Sequence, residues 1–410
     1  MKYLKKYINT FSGLRKQVWF LAFVTFVNRA GTMVIPFLVL YLSEDLDFTK
    51  PQVGWILTSF GLGSLIGSWL GGKLTDKIGY YPIMFVSLFT TGVGFIFLQY
   101  FRSFESFFIG IFLIMVVADT FRPANFTAIT VYSKPENRTR SITLIRLAIN
   151  LGFSFGPAAG GFIIVTLGYG GLFWIDGITC ILGALLILIL LKPKEIKQKA
   201  ADKLALAAER VKSLPAHRDH VYMLFLLVLF LIGVVFMQLF SSLPLYYREE
   251  HLLSESTIGW LMALNGLLIF FFEMPLVSFF EGRKTRKLTI LQYSIVLLGL
   301  SYLVLIFDAW LAVIVIGVLL ITIGEMLAFP FANAYAMNWA PNGRSGEYLG
   351  MFTMTFSLAH IVGPNMGVQV ADRFGYDACW ILMAAISIIA LVLLVYLKKL
   401  MVTKPRQALA

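Results

Sequence analysis

Charge is scarce in this sequence. Asp, Glu, Lys and Arg make up 14% of 410 residues, whereas a soluble domain carries about 25%. Cysteine is nearly absent. Cys180 and Cys379 both sit inside apolar runs, which excludes a disulfide framework and a thiolate metal site. Of four histidines, His217, His220 and His251 fall in predicted loops, so no metal-ligand spacing arises. No glycine-rich phosphate loop is present either. These absences argue against an enzyme, a metal and a cofactor, and any pumping is expected to draw on an ion gradient. What fills the chain instead is apolar: 59% hydrophobic residues and a mean hydropathy of +0.81.

Apolar stretches of roughly 20 residues recur along the whole chain, each long enough to cross about 30 Å of hydrocarbon. They predict an all-α polytopic membrane protein with twelve transmembrane helices. The spans are 18–42, 52–72, 81–101, 106–131, 142–166, 171–191, 221–247, 256–280, 287–306, 310–338, 347–371 and 377–397. The basic N-terminal segment precedes an apolar run too long for a signal-peptide core, so span 1 is expected to be uncleaved.

Net charge is +12, and its distribution is a topology signal rather than a nucleic-acid signal. The two ends and the loops after even-numbered spans hold 27 of 34 Lys and Arg; the opposite loops hold Lys50, Arg102, Arg248 and Arg373. Both termini are therefore expected on the cytoplasmic side of the cell inner membrane, with anionic lipid headgroups as neighbours. The longest loop, 192–220, reads as a solvated linker between an N-terminal half (1–191) and a C-terminal half (221–410).

The halves repeat each other. "GPAAGGFIIVTLGYGGLFW" from 156 matches "GPNMGVQVADRFGYDACW" from 363, with Gly156, Gly160 and Gly168 against Gly363, Gly367 and Gly375. Asp119, Pro123 and Asn125 parallel Glu325, Pro330 and Asn333. Two pseudo-symmetric six-helix halves describe a transporter plan with its substrate site near the midplane.

On these residues the chain resembles the major facilitator superfamily over nearly its full length. "GGKLTDKIGYY" (71–81) looks like that family's loop motif, with Gly72, Leu74, Asp76, Lys77 and Gly79 in place; Tyr80 and Tyr81 stand where a basic pair is usual. The resemblance implies a conformational clasp at Asp76. "GFSFGPAAGG" (152–161) resembles the motif of drug–proton exporters, with Gly152, Gly156, Pro157, Gly160 and Gly161 matching. Small residues four apart let helices approach closely, and Pro157 removes a backbone donor. A second set of stretches, "NRAGTMVIPFLVLYL" (28–42), "FRPANFT" (121–127) and "GEMLAFPFANAYAMNWAP" (324–341), is similar to proton-coupled oligopeptide transporters, although Asn28 and Arg122 replace that family's acid and lysine.

Ionisable residues inside spans are functional candidates by default. Asp119 and Arg122 share a helix face and are expected to pair beside an aqueous cavity. Glu325 has no base nearer on its C-terminal side than Arg344, which suits a proton carrier. Glu273 either binds a cationic substrate or carries the proton. Arg29 either neutralises a cavity acid or binds a substrate carboxylate. Asp176 reads as an interfacial cap at the outer end of span 6, His360 as a core histidine or a relay, and Arg146 as snorkelling. Asn28, Asn150, Gln238, Asn265, Asn333, Tyr41 and Tyr246 are candidate cavity residues. The resulting expectation is a monomeric, proton-coupled antiporter that exports amphipathic small molecules by alternating access. The competing expectation is a symporter importing peptides or other solutes. Its partners would be substrate, protons and the lipid bilayer, with no nucleic acid.

Overall fold

A computed structural model describes residues 13–134, 137–193, 214–283, 285–307, 311–340 and 345–403. Most of the 192–220 linker and both chain ends lie outside the described residues. The described residues form twelve helical rods: α1 (Lys16–Asp45), α2 (Lys50–Ile78), α3 (Tyr80–Leu98), α4 (Phe104–Tyr132), α5 (Arg138–Leu167), α6 (Tyr169–Leu190), α7 (His220–Glu249), α8 (Glu255–Gly282), α9 (Lys287–Ile306), α10 (Leu311–Trp339), α11 (Ser345–Phe374) and α12 (Tyr376–Thr403). Eleven are long and apolar enough to span a membrane; the more polar α11 is the twelfth. Helices satisfy every backbone group within one segment, which hydrocarbon demands. Large apolar side chains such as Ile189, Phe162 and Val392 point outward, as lipid-facing positions do.

Three rods are interrupted, each at or near the residue four positions before a proline. In α1 the break at 31–33 precedes Pro36; in α4 the break at 119–120 precedes Pro123; in α7 a 3-10 turn over Met237–Phe240 precedes Pro244. Proline cannot donate to the carbonyl four residues back and crowds it. Pro157, Pro275, Pro330 and Pro364 sit in unbroken helices, so proline permits a break without dictating one.

The Gly-Tyr pairs of the repeat also gain a cause. Gly168 (φ 73°) and Gly375 (φ 84°) turn the chain from α5 into α6 and from α11 into α12 in one residue, a backbone region open to glycine. Tyr169 and Tyr376 then start the next helix already buried.

The chain divides into two compact units. Unit one holds residues 1–196 and 244–270; unit two holds 197–243 and 271–410. Unit one thus includes the end of α7 and most of α8. Its core gathers Val18, Leu21, Met84, Phe121, Tyr132 and Ile187, and Tyr132 Oη donates to the Lys192 carbonyl at 2.8 Å. In unit two, Asp219 ahead of α7 accepts from Trp339 Nε1 at 2.8 Å and Tyr348 Oη at 3.0 Å.

Candidate functional site

The break in α1 leaves the backbone N–H groups of Met33 and Val34 without helical acceptors. Asp176 of α6 accepts both, each at 3.3 Å, as an N-cap carboxylate would. Its other oxygen meets Cys180 Sγ at 3.8 Å, and Asn28 Nδ2 donates to the same sulfur at 3.3 Å. Asp176 is therefore not an interfacial cap of its own helix. It is a buried cap for the second segment of α1, where the break leaves two adjacent N–H donors. Gly31 is required at the crossing: a methyl there would lie 1.7 Å from Thr179 Oγ1.

Arg29 lies in the last turn of the first segment of α1. Its guanidinium carbon lies 5.5 Å from the Phe153 ring centroid. Asp119, Arg122, Asp176 and Cys180 are within electrostatic range. Yet Arg29 makes no ion pair or side-chain hydrogen bond among the described residues, and its Nε is buried without a partner. A buried donor left unmet costs about 1–3 kcal/mol.

Asp119 sits at the break in α4, where hydroxyls meet the two carbonyls that precede it. Ser87 Oγ of α3 donates to Val117 O at 2.9 Å and Ala118 O at 3.2 Å, and Thr120 Oγ1 donates to Val117 O at 2.7 Å. The Asp119 carboxylate is buried, accepts from Ser64 Oγ of α2 and pairs with Arg122 Nε at 3.2 Å. Arg122 is half exposed. The expected Asp119–Arg122 pair is thus present, with one partner buried and the other accessible. Glycines bring α2 onto α4: a methyl on Gly67 would lie 2.4 Å from Val116 O, and one on Gly71 2.5 Å from Thr120 Cα.

The helix 5 motif is a two-sided seam inside unit one. On one side, methyls on Gly152, Gly156 and Gly160 would meet Arg29 Cβ at 2.5 Å, Thr32 O at 2.7 Å and Phe37 Cε2 at 2.9 Å, all in α1. On the other, one on Gly161 would lie 2.6 Å from Glu255 O, and one on Gly259 of α8 2.4 Å from Pro157 O. The Thr32 carbonyl, freed by Pro36, therefore lies against Gly156.

A polar knot ties the α1 terminus to the α7–α8 loop. The last turn of α1, Tyr41–Asp45, is a π turn, a widening frequent at functional sites. From it Glu44 accepts from Arg248 Nε and from Tyr169 Oη at 2.7 Å. Arg248 also pairs with Glu255 at 3.1 Å and donates to the Leu253 carbonyl at 3.1 Å. Lys50–Glu249 and Arg102–Asp45, each at 2.7 Å, flank it. Sequence reasoning missed this knot. Its one signal was that Arg248 is among the few basic residues on that side.

Several sequence-based candidates turn inward instead. Gln238 is fully buried: Nε2 donates to Val234 O at 3.0 Å and Gly363 O at 2.8 Å, while Oε1 accepts from Ser242 at 2.8 Å. It pins α7 to α11, with no valence left for a ligand. Tyr41 is enclosed by Phe107, Tyr169 and Phe173, and Tyr246 packs on Tyr247 and His251. Asn28 is committed to Cys180. An interrupted helix exposes backbone, and these side chains are used to cover it or to fill around it. Asn150 is half-buried and Asn265 buried in unit one; in unit two Glu273 is buried, Glu325 half-buried and Asn333 exposed. Gly72 is open, and Asp76 and Lys77 are exposed without an ion pair among the described residues. Gly79, at φ 91°, joins α2 to α3.

Twelve apolar rods in a repeated sequence, with an acid–base pair at a helix break, define a membrane carrier class. The Major Facilitator Superfamily model matches residues 18–291 and 247–409, and the chain belongs to this family. The Na(+), Li(+), K(+)/H(+) antiporter of Planococcus maritimus is 21% identical over 394 residues, covering 89% of this chain and 91% of the relative. The quinolone resistance protein NorA of Staphylococcus aureus (strain COL) is 23% identical over 372 residues, covering 88% and 91%. A solved peptide transporter POT in complex with sulfate shares the fold, with a TM-score of 0.79 at 16% identity over 96% of this chain and 95% of that one. The protein is thus a multi-pass membrane transporter, and the relatives are transporters rather than enzymes.

Proposed function

We propose that the protein is a proton-coupled antiporter that exports amphipathic small molecules by alternating access. The observation that carries this reading is the Asp119 site: a buried carboxylate held by Ser64 and paired with a half-exposed Arg122. Protonating Asp119 cancels its charge, loosens Arg122 and weakens the α2–α4 tether. Losing the proton restores both. A charged group in hydrocarbon is costly unless paired, so protonation and conformation are coupled through that cost. The antiporter and quinolone-resistance relatives, together with the α5 glycine motif, favour export over uptake. Glu325 and Glu273 are the proposed second-unit acids of the cycle.

The basic-loop count supports cytoplasmic termini in the inner membrane, and a single chain suffices for the cycle. The Arg248–Glu44–Glu255 knot then lies on the outer side. It closes outer access and must open once per turnover.

The test uses full-length protein in liposomes under a pH gradient, following internal pH while ethidium is added. Proton movement opposite to ethidium, lost in Asp119→Asn, is expected. Protons travelling together with added di- or tripeptides would replace antiport with peptide symport. Unchanged coupling in Asp119→Asn would remove Asp119 from the proton path.

A further inference from the structure

We propose that Asp176 is a second proton-binding group of the transport cycle: neutral while the outer segment of α1 is seated on it, and ionised once that segment moves away and admits water. This rests on the proton-coupled reading above and adds a proton site that the reading does not contain.

The argument begins with burial. Asp176 is 2% exposed and makes no ion pair among the described residues, whereas Asp119 is paired with Arg122. An ionised carboxylate without a cationic partner is costly in hydrocarbon, and the neutral form escapes that cost. Few groups face Asp176. Among the described residues, Arg29 of α1 is the charged residue within its electrostatic range, and Cys180 of α6 is the titratable side chain bonded to it. The neighbouring stretches of α3 (82–98) and α5 (147–167) carry no titratable residue.

The hydrogen bonds fit a neutral carboxyl. Oδ2 accepts the Met33 and Val34 N–H groups at 3.3 Å each, longer than the roughly 2.7–2.9 Å of charge-assisted bonds. A single carbonyl oxygen has two lone pairs for two such donors. Oδ1 takes part in neither bond. Its neighbour is Cys180 Sγ at 3.8 Å, a weak acceptor, so Oδ1 is the place for the proton.

The repeat supplies an internal control. Counted from the paired Gly-Tyr corners, the α12 residue that matches Asp176 is Met383, which is fully buried. The α7 break of that unit is covered by neutral side chains: Gln238 Oε1 accepts from Ser242 Oγ at 2.8 Å and Ser241 Oγ at 3.3 Å. A broken helix in this fold therefore does not demand an acid beside it. Asp176 adds a titratable group that the architecture alone does not require.

Its place gives that group a consequence. The outer segment of α1, Val34–Leu40 with the π turn Tyr41–Asp45, is held to α6 at both ends. Asp176 holds its start, and Tyr169 Oη donates to Glu44 in its last turn. Asp176 follows Tyr169 by seven residues, about 10 Å along α6. When the knot at Glu44 opens, water reaches Asp176 from the knot's side. A proton taken from that water onto Oδ1 lets the segment seat again, and its loss favours the open arrangement. The only bond made or broken is the carboxyl O–H.

The test uses full-length protein and two readouts. Infrared difference spectra of wild type against Asp176→Asn, at neutral pH in nanodiscs, are expected to show the C=O stretch of a protonated carboxyl, and Asp119→Asn should keep that band. In liposomes, the initial rate of ethidium exchange is followed against outer pH at fixed inner pH. Its steepness should fall by about half in Asp176→Asn, from about two protons to about one, because an amide of the same shape keeps the cap and loses the titration. Ionised-carboxylate bands in the difference spectrum, or an unchanged pH profile in Asp176→Asn, would each overturn the proposal. Should Asp176→Asn fail to fold, Cys180→Ser, which alters the neighbour of Oδ1, is expected to move the protonated band, and a band that stays in place would be equally fatal. Exchange that is intact, lost in Asp119→Asn and indifferent to Asp176→Asn removes Asp176 alone. A wild type that exchanges no protons for ethidium removes the antiport reading itself.

Discussion

The two repeats place the same serine on the same partner and reach different ends. In unit one, Ser87 of α3 donates to Val117 O of α4; in unit two, Ser294 of α9 donates to Gly324 O of α10 at 2.7 Å. Both pairs are shifted by the same number of positions as Pro123 and Pro330. Yet α4 breaks, and α10 runs unbroken from Leu311 to Trp339. The difference lies in the adjoining side chains. At the α4 break, Thr120 supplies a second hydroxyl and Asp119 reaches Ser64 of α2. In the same register α10 has Leu327 and Met326, and α8, matched through Gly54-Trp55 and Gly259-Trp260, has Ile269 in place of Ser64. Glu325 is one position out of register with Asp119, and one residue turns a helical side chain by about 100°. The two acids are therefore not equivalent copies. The α4 break thus coincides with hydroxyls on the Val117 and Ala118 carbonyls and with a carboxylate that reaches α2.

The strongest way to break this comparison is to neutralise each acid in turn. Asp119→Asn is expected to abolish pH-driven transport in liposomes, whereas Glu325→Gln should slow it and leave a measurable residue. Equal losses would restore the equivalence. Next in size is the cap on α1. Asp176→Ala leaves two buried N–H groups without an acceptor and should cost about 2–3 kcal/mol, read as a fall in thermal midpoint in detergent. A silent Asp176→Ala would mean that the α1 break holds itself.

The polar knot should show smaller, local effects. Arg248→Gln removes two ion pairs at a partly buried site worth about 1–3 kcal/mol, and it is expected to raise hydrogen exchange in residues 41–50 and 246–256. Protection that stays at the wild-type level would deny the knot a closing role. Smallest are the twin serines. Ser87→Ala and Ser294→Ala should each cost about 1 kcal/mol in thermal melts, with Ser87 the larger because it serves two carbonyls. A larger loss at Ser294 would reverse the ranking of the two serines.

Much of the architecture could be read in advance. The apolar runs predicted all twelve rods within a few residues, and the repeats paired Gly168 with Gly375, whose role as corners only the backbone shows. Asp119 and Arg122 were legible as a pair because three residues apart on a helix is a contact distance. The knot was not legible: Glu44 and Arg248 are 204 positions apart, and no helical period relates them. Gln238 and Tyr41 misled for a related reason. A polar residue in an apolar span can line water or cover a broken backbone, and its spacing is the same in both cases.

By itself the sequence determined the number of helices, their repeat and the places where proline weakens them. Those are consequences of length, hydropathy and local backbone chemistry, which each segment carries alone. Tertiary structure decided which weakened places open, which acid caps them and which charge is left unmet. Asp176 finds Met33 and Val34, Ser64 finds Asp119, and the buried Nε of Arg29 finds no acceptor among the described residues, because hydrogen bonds across helices depend on how segments distant in the chain are packed.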